Sequence, residues 1–160
     1  RRGSGGRVLS EVDPAEEARR VALAALARRE HSRRELERKL ALHGHEDADV
    51  DAVLDELEDL RLLDENRFVD AFVRSRIARG QGPVRISHEL KTRGIDAAAV
   101  RGALADAEEL WVERAQQALA RKFSGGRLDQ RERARRYRFL EFRGFTRSQI
   151  SAALSAPDPD

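Results

Sequence analysis

The sequence contains no cysteine and no methionine, and only eight of its 160 residues are aromatic: six Phe, one Tyr and one Trp. Without cysteine, disulfides and any cysteine-based metal, redox or nucleophilic chemistry are excluded. So few aromatics are poor material for a β-sandwich or barrel. Proline is scarce too, with four in the chain, and the long stretches of Ala, Leu, Glu and Arg favour helices. No apolar run approaches the roughly 18 residues that a membrane span needs, and no signal-like apolar stretch follows the start. With no methionine at position 1, the chain reads as trimmed at its N-terminus. A composition 40% hydrophobic and 38% charged allows only a thin core. What remains is a soluble, cytoplasmic, all-α protein.

The net charge of +2 conceals segregation. Gly44 to Asn66 holds ten acids and one base; Arg67 to Arg93 holds seven bases and two acids; Arg131 to Arg147 again holds seven arginines and two acids. Separated signs of this kind point to a charged partner. Arg outnumbers Lys 28 to 3, a bias that genome composition also produces.

The chain repeats itself. Gly44, Gly94 and Gly144 are fifty residues apart; Leu40, Leu90 and Leu140 stand four before them, and Val50, Val100 and Ile150 six after. Leu54, Leu104 and Leu154 stand ten after. A leucine followed four residues later by glycine reads as the last turn of a helix and its C-terminal cap. Asp96 and Thr146 then read as N-caps of the next helix, Thr146 with Gln149 forming a capping box, and Asp47 is the expected cap in the first copy. The valine or isoleucine and the second leucine lie one turn apart and face the same core.

A third helix precedes each pair. The first begins at Asp13-Pro14-Ala15-Glu16, an N-cap, a proline at N1 and a capping-box acid, and carries Val21, Leu23 and Leu26. Ser32 and Glu35 cap the next. Phe68, Phe72 and Ile77 mark the second leading helix; Trp111, Leu119 and Phe123 mark the third. Nine helices are predicted, at 14–29, 33–43, 48–61, 65–79, 84–93, 97–106, 108–123, 130–143 and 147–155. They compose three tandem three-helix repeats, at 14–62, 63–106 and 107–155, between disordered tails at 1–13 and 156–160. Units this small bury little alone, so they should stack into an elongated, curved array.

On the second helix of each repeat, the residues away from the core are basic: Arg34 and Arg38, then Arg85, His88 and Lys91, then Arg131, Arg135 and Arg138. Six before each glycine the series is Arg38, His88, Arg138. A column of this kind suits a regularly spaced anionic lattice; it is equally what an ordinary solvated face with cations near helix C-termini would look like. For His43, Arg93 and Arg143, just before the glycines, the helix dipole is explanation enough. His43-Gly44-His45-Glu46-Asp47 offers too few ligands for a metal and reads as a turn. Gly80-Gln81-Gly82-Pro83 joins two helices and lacks the Lys-Ser/Thr of a phosphate loop, so it reads as a rigid junction. No nucleophile and base are patterned together, which argues against an enzyme, a cofactor or a small-molecule substrate.

Several of these segments resemble the bacterial RecX family of regulatory proteins. They are Arg33-Arg34-Glu35-Leu36 with Lys39-Leu40; Leu62-Leu63-Asp64-Glu65-Asn66-Arg67-Phe68; Gly80-Gln81-Gly82-Pro83-Val84-Arg85-Ile86; Glu89-Leu90-Lys91; and Arg93-Gly94-Ile95. Trp111-Val112-Glu113-Arg114-Ala115 and Arg138-Phe139-Leu140 with Arg143-Gly144-Phe145 resemble the family's last third. The similarity runs over about residues 14–155. Glu65 replaces a more usual acid, and Gln81 stands where Lys or a bulky residue is common.

The resemblance implies a non-enzymatic modulator of the RecA recombinase. Such a protein binds RecA and its filaments on single-stranded DNA, lies along the filament groove, and restrains ATP hydrolysis, strand exchange and co-protease activity in the SOS response and DNA repair. Arg34, Arg38, Arg85, Lys91, Arg131, Arg135 and Arg138 are then the candidate contacts. The alternative is a direct nucleic-acid binder whose helix pairs track phosphates. Against it stand the acidic last helix of the first repeat and aromatics that read as core residues, not stacking platforms. Weak direct DNA contact alongside RecA is compatible with the first reading.

Overall fold

A computed structural model describes residues 12–155. Of the tails assigned to 1–13 and 156–160, only Val12 and Asp13 fall among these residues, and Asp13 is the N-cap of the first helix. Nine α-helices and one 3₁₀ turn make up the described residues, with no strand: α1 Pro14–Arg28, α2 Arg33–Leu42, α3 Asp47–Asp59, α4 Glu65–Ala78, α5 Pro83–Thr92, α6 Ala97–Ala105, α7 Trp111–Lys122, α8 Gln130–Arg143 and α9 Arg147–Ser155. The 3₁₀ turn, Glu108–Leu110, occupies the first residues predicted for α7. The chain forms two compact units, one ending at Asp64 and one beginning at Glu65.

Capping places most of the helix starts. The Ser32 hydroxyl accepts from the Glu35 amide at 3.1 Å while the Glu35 carboxylate accepts from the Ser32 amide at 3.2 Å. Thr146 and Gln149 repeat the arrangement at 3.2 and 3.0 Å. At α1 the cap is Asp13 accepting from Ala15. In α3 the cap position falls on Glu46, one residue before the expected Asp47, and no side chain bonds there.

The glycine turns are alike in all three copies. Gly44, Gly94 and Gly144 have φ of 86°, 84° and 93°, a left-handed conformation that glycine adopts without a Cβ penalty. The amide after each glycine donates to the carbonyl of Leu40, Leu90 or Leu140 at 3.1 Å, and each glycine amide donates to Ala41, Lys91 or Glu141 at 3.0 Å. This is the Schellman pattern, which satisfies carbonyls that a helix end would otherwise leave bare. Leu40, Leu90 and Leu140 are fully buried, as nearly are Val50, Val100 and Ile150; Leu54 and Leu154 are buried and Leu104 half-buried. Leu90→Ala should therefore cost about 2–5 kcal/mol. A loss under half a kilocalorie in urea unfolding would show that this column does not support the core.

In the first unit the buried stripe of α1 is Ala18, Ala22 and Ala25 rather than its larger residues; Val21 and Leu26 sit at the edge and Leu23 is exposed. These small side chains face Leu36 and Leu40 of α2, Val50, Val53, Leu54 and Leu57 of α3, and Leu63. His31, at the α1–α2 corner, is buried with Nδ1 3.0 Å from the Arg29 carbonyl. Burial pushes its pKa down, helped by the charges of Arg29 and Lys39 and opposed by the Arg29 carbonyl and Glu35. The folded state therefore prefers the neutral ring. The stabilisation is complete above the ordinary histidine pKa of about 6.5 and is lost as pH falls through the lower folded value. His31→Gln, which installs the residue found at position 81 in the next repeat, should flatten the pH dependence of first-unit stability between pH 7.5 and 5. An unchanged slope would assign that dependence to other groups.

In the second unit α4 to α9 share one core. Phe68, Phe72, Ile86, Leu90 and Val100 pack in the same cluster as Trp111, Ala115, Leu119, Leu140, Phe145, Ile150 and Leu154. The second and third repeats are joined backbone to backbone. Gly82 and Val84 donate their amides to the carbonyls of Arg143 and Gly144, both at 2.8 Å. Pro83 between them has no N–H to satisfy. The free amides of the α5 start and the free carbonyls of the α8 end thus complete each other, positive helix end against negative. Arg143 Nη1 also reaches the Arg79 carbonyl at 3.2 Å, and Arg121 Nη1 that of Ala78 at 3.4 Å, so both cap the end of α4. Arg143 therefore serves a neighbouring helix end, not merely the dipole of its own.

Candidate binding faces

On α2, Leu36 and Leu40 point inward, and Arg34 and Arg38 stand exposed one turn apart with no ion-pair partner among the described residues. Their neighbour Arg33 behaves differently. It bonds Glu37 (3.1 Å) on its own helix and reaches across to α3, meeting Asp55 (2.7 Å), Glu58 (3.1 Å) and Asp51 (3.5 Å). Burial works against its charge, but the hydrogen bonds to Asp55, Glu58 and Glu37 outweigh it and raise its pKa above the usual arginine value. Arg19 of α1 holds Glu56 at 2.7 Å. Four acids of the helix expected to repel a polyanion are thus engaged by two arginines from within the same unit. Local sequence does not reveal this, because Arg33 and its α3 partners are about twenty residues apart.

On α5, Lys91 and His88 are exposed, whereas Arg85 is not a free cation. Its Nε lies 3.3 Å from Glu89, which also accepts from Arg76 at 2.8 Å. The backbone and Cβ of Arg85 lie directly against Gly144. Arg85 is therefore part of the joint between repeats before it is part of a surface.

On α8, Arg131, Arg135 and Arg138 are exposed; Arg135 is 3.8 Å from Glu132 and 5.3 Å from the Phe123 ring, and the other two have no ion-pair partner among the described residues. Arg136 takes the inward place that Leu36 and Ile86 hold in the other repeats and is only 8% exposed. It donates to the Ser124 carbonyl at 3.1 Å and to Glu132 at 3.5 Å, with its guanidinium 5.2 Å from the Phe123 centroid. The fifty-residue register could have singled it out as a cation in an otherwise aliphatic column, Leu36 and Ile86. Of the candidates, Arg34 and Arg38 lie in the first unit and the other five in the second. The position shared by all three repeats, Arg38, His88 and Arg138, is exposed each time.

The aromatics divide unequally. Phe68, Phe72, Trp111 and Phe145 are buried, but Phe142 is 77% exposed. The expectation that the aromatics are core residues fails at this position, because residue 142 falls on the outward side of α8, away from Arg136 and Leu140.

Comparison with known proteins follows the same outline. Residues 18–57 match the family described as RecX, first three-helix domain, and residues 64–104 match RecX, second three-helix domain. A regulatory protein RecX of Halorhodospira halophila is 49% identical over 95% of this chain and 96% of its own length. One from Pseudomonas putida is 45% identical over 89% and 92%. The crystal structure of RecX from Lactobacillus salivarius superposes with a TM-score of 0.77 at 23% identity, covering 89% of this chain and 95% of that one. At that identity it speaks to the fold.

Proposed function

Because this chain belongs to the RecX family of regulatory proteins, we propose that it binds the RecA recombinase and its filaments on single-stranded DNA. In doing so it restrains their ATPase, recombinase and co-protease activities. The observation that carries the reading is the recurrence of one exposed basic position, Arg38, His88 and Arg138, on equivalent helices of a chain built from repeats. A polymer presents the same groups at regular intervals, and a repeated binding element is matched to such a partner, each weak contact adding to the next. Arg34, Arg38, Lys91, Arg131, Arg135 and Arg138 are the contacts; Arg85 contributes by holding the joint. Regulation of this kind needs no cofactor or small-molecule substrate, since the chemistry is the partner's. No helix among the described residues is long and apolar enough to cross a membrane; the cytoplasm is the compartment that the proposed partner implies.

A capture experiment tests the reading. The protein should sediment with RecA filaments assembled on single-stranded DNA, less with RecA alone, and least with bare DNA of the same length. Equal capture by bare DNA and by filaments would replace this reading with that of a nucleic-acid binder.

A further inference from the structure

Phe142 is an apolar ring in cationic surroundings. Along α8, Arg131, Arg135, Arg138 and Phe142 are four, three and four residues apart, so at 100° per residue they fall in a stripe about 60° wide and about 16 Å long. The acids of this stretch, Glu132 and Glu141, project to either side of it by the same geometry. The Arg85 guanidinium lies 5.9 Å from the ring centroid, yet Phe142 as a residue is 77% exposed. Among the described residues of α8, no other large apolar side chain is exposed.

We propose that this stripe is a contact for single-stranded DNA, in which an unpaired base stacks on Phe142 and the strand's phosphates follow Arg138, Arg135 and Arg131. Stacking needs only a π-face and is therefore indifferent to sequence, while arginines beside the ring follow the backbone. A second copy of the chain is the poorer fit. A two-fold contact through this face would set arginines against arginines, and one ring offers too little apolar area to offset that repulsion. Duplex DNA fits poorly too, since its bases are already stacked. The proposal rests on the filament reading only in giving the third repeat the filament's DNA as its share of the contact.

The test uses the full chain, a fluorescein-labelled twenty-nucleotide oligo-dT, an abasic strand of equal length and a duplex, with anisotropy measured between 50 and 200 mM salt. Wild type should bind the base-bearing strand about fivefold or more tightly than the abasic one. Phe142→Ala should erase that preference without altering the salt dependence, and Phe142→Trp should keep it. Arg138→Ala should keep the preference but lower the slope of log K against log salt by about 0.7, the value of one phosphate contact on a single strand. The proposal falls if wild type binds the abasic strand or the duplex as tightly as oligo-dT, if Phe142→Ala retains the preference, or if Phe142→Ala converts a dimer to a monomer. It also falls if Phe142→Ala loses only filament capture, which makes the ring a protein contact and leaves the filament reading standing. Preference for base-bearing strands without any filament capture would uphold the stripe and remove that reading.

Discussion

Gly82→Ala should unfold the second unit at markedly lower urea concentration, with a loss of about 3–5 kcal/mol. A Cβ at position 82 would lie 2.5 Å from the carbonyl carbon and oxygen of Gly144 and from the Phe145 nitrogen. All three are backbone atoms, so no rotamer change relieves the overlap. The start of α5 must retreat from the end of α8, and the two 2.8 Å hydrogen bonds from Gly82 and Val84 go with it. Overpacking alone costs about 1–3 kcal/mol, and each broken backbone bond adds about 0.5–1.5. Gly144→Ala meets Arg85 Cβ at 2.4 Å and its nitrogen at 2.6 Å, at a φ of 93°. Gly44→Ala is the matched comparison: the same turn, a φ of 86°, and nothing within 4 Å. It should cost only about 1 kcal/mol, the conformational part. If Gly144→Ala costs no more than Gly44→Ala, the joint seen here does not hold in solution.

That contrast also shows what the sequence could and could not convey. The fifty-residue period was legible because each column has a local cause: a leucine that accepts the Schellman bond, a glycine that supplies the left-handed turn, and a β-branched residue one turn into the next helix. Burial alternates residue by residue in the same order over 31–40 and 81–90, as a true repeat requires. What was hidden depends on other helices. The register puts Arg136 on the inward side of α8 but does not show what holds its charge there: the Ser124 carbonyl, Glu132 and the face of the Phe123 ring. The Gly80–Pro83 segment reads as a stop and a start, and nothing local in it points to its partner, the α8 terminus some sixty residues on.

The acidic stretch teaches the same lesson in charge. Counted along the chain, Gly44–Asn66 is a repulsive block. In space, Asp51, Asp55 and Glu58 converge on Arg33, and Glu56 meets Arg19. Net charge over a window measures composition; the field a partner meets depends on which of those charges are already paired. Conversely Arg34, Arg38, Lys91, Arg131 and Arg138 were legible as candidates and stand free of ion pairs among the described residues.

Those free cations are where reversal of charge should be felt most. Lys91→Glu together with Arg138→Glu should leave the stability of the second unit within about half a kilocalorie of wild type, since neither side chain is buried or paired. The same protein should lose most of its inhibition of RecA ATP hydrolysis. Two exposed attractions turned into repulsions weaken binding by about 1–3 kcal/mol, roughly five- to 150-fold in affinity. The deficit should shrink as salt rises, because exposed charges more than about 8 Å apart are largely screened at physiological ionic strength. Arg85 is the wrong residue for this experiment, as it shares Glu89 with Arg76 and lies against Gly144. Asp55 and Glu58 are equally wrong as acidic controls, because reversing them strands Arg33 and destabilises the first unit. Asp47→Lys with Asp59→Lys is the sound control: both are exposed on α3 and without an ion-pair partner among the described residues. Inhibition should survive that exchange. Equal losses from the basic and acidic pairs would mean that only net charge matters, and a Lys91/Arg138 variant that inhibits like wild type would take the outer faces of α5 and α8 out of the interface.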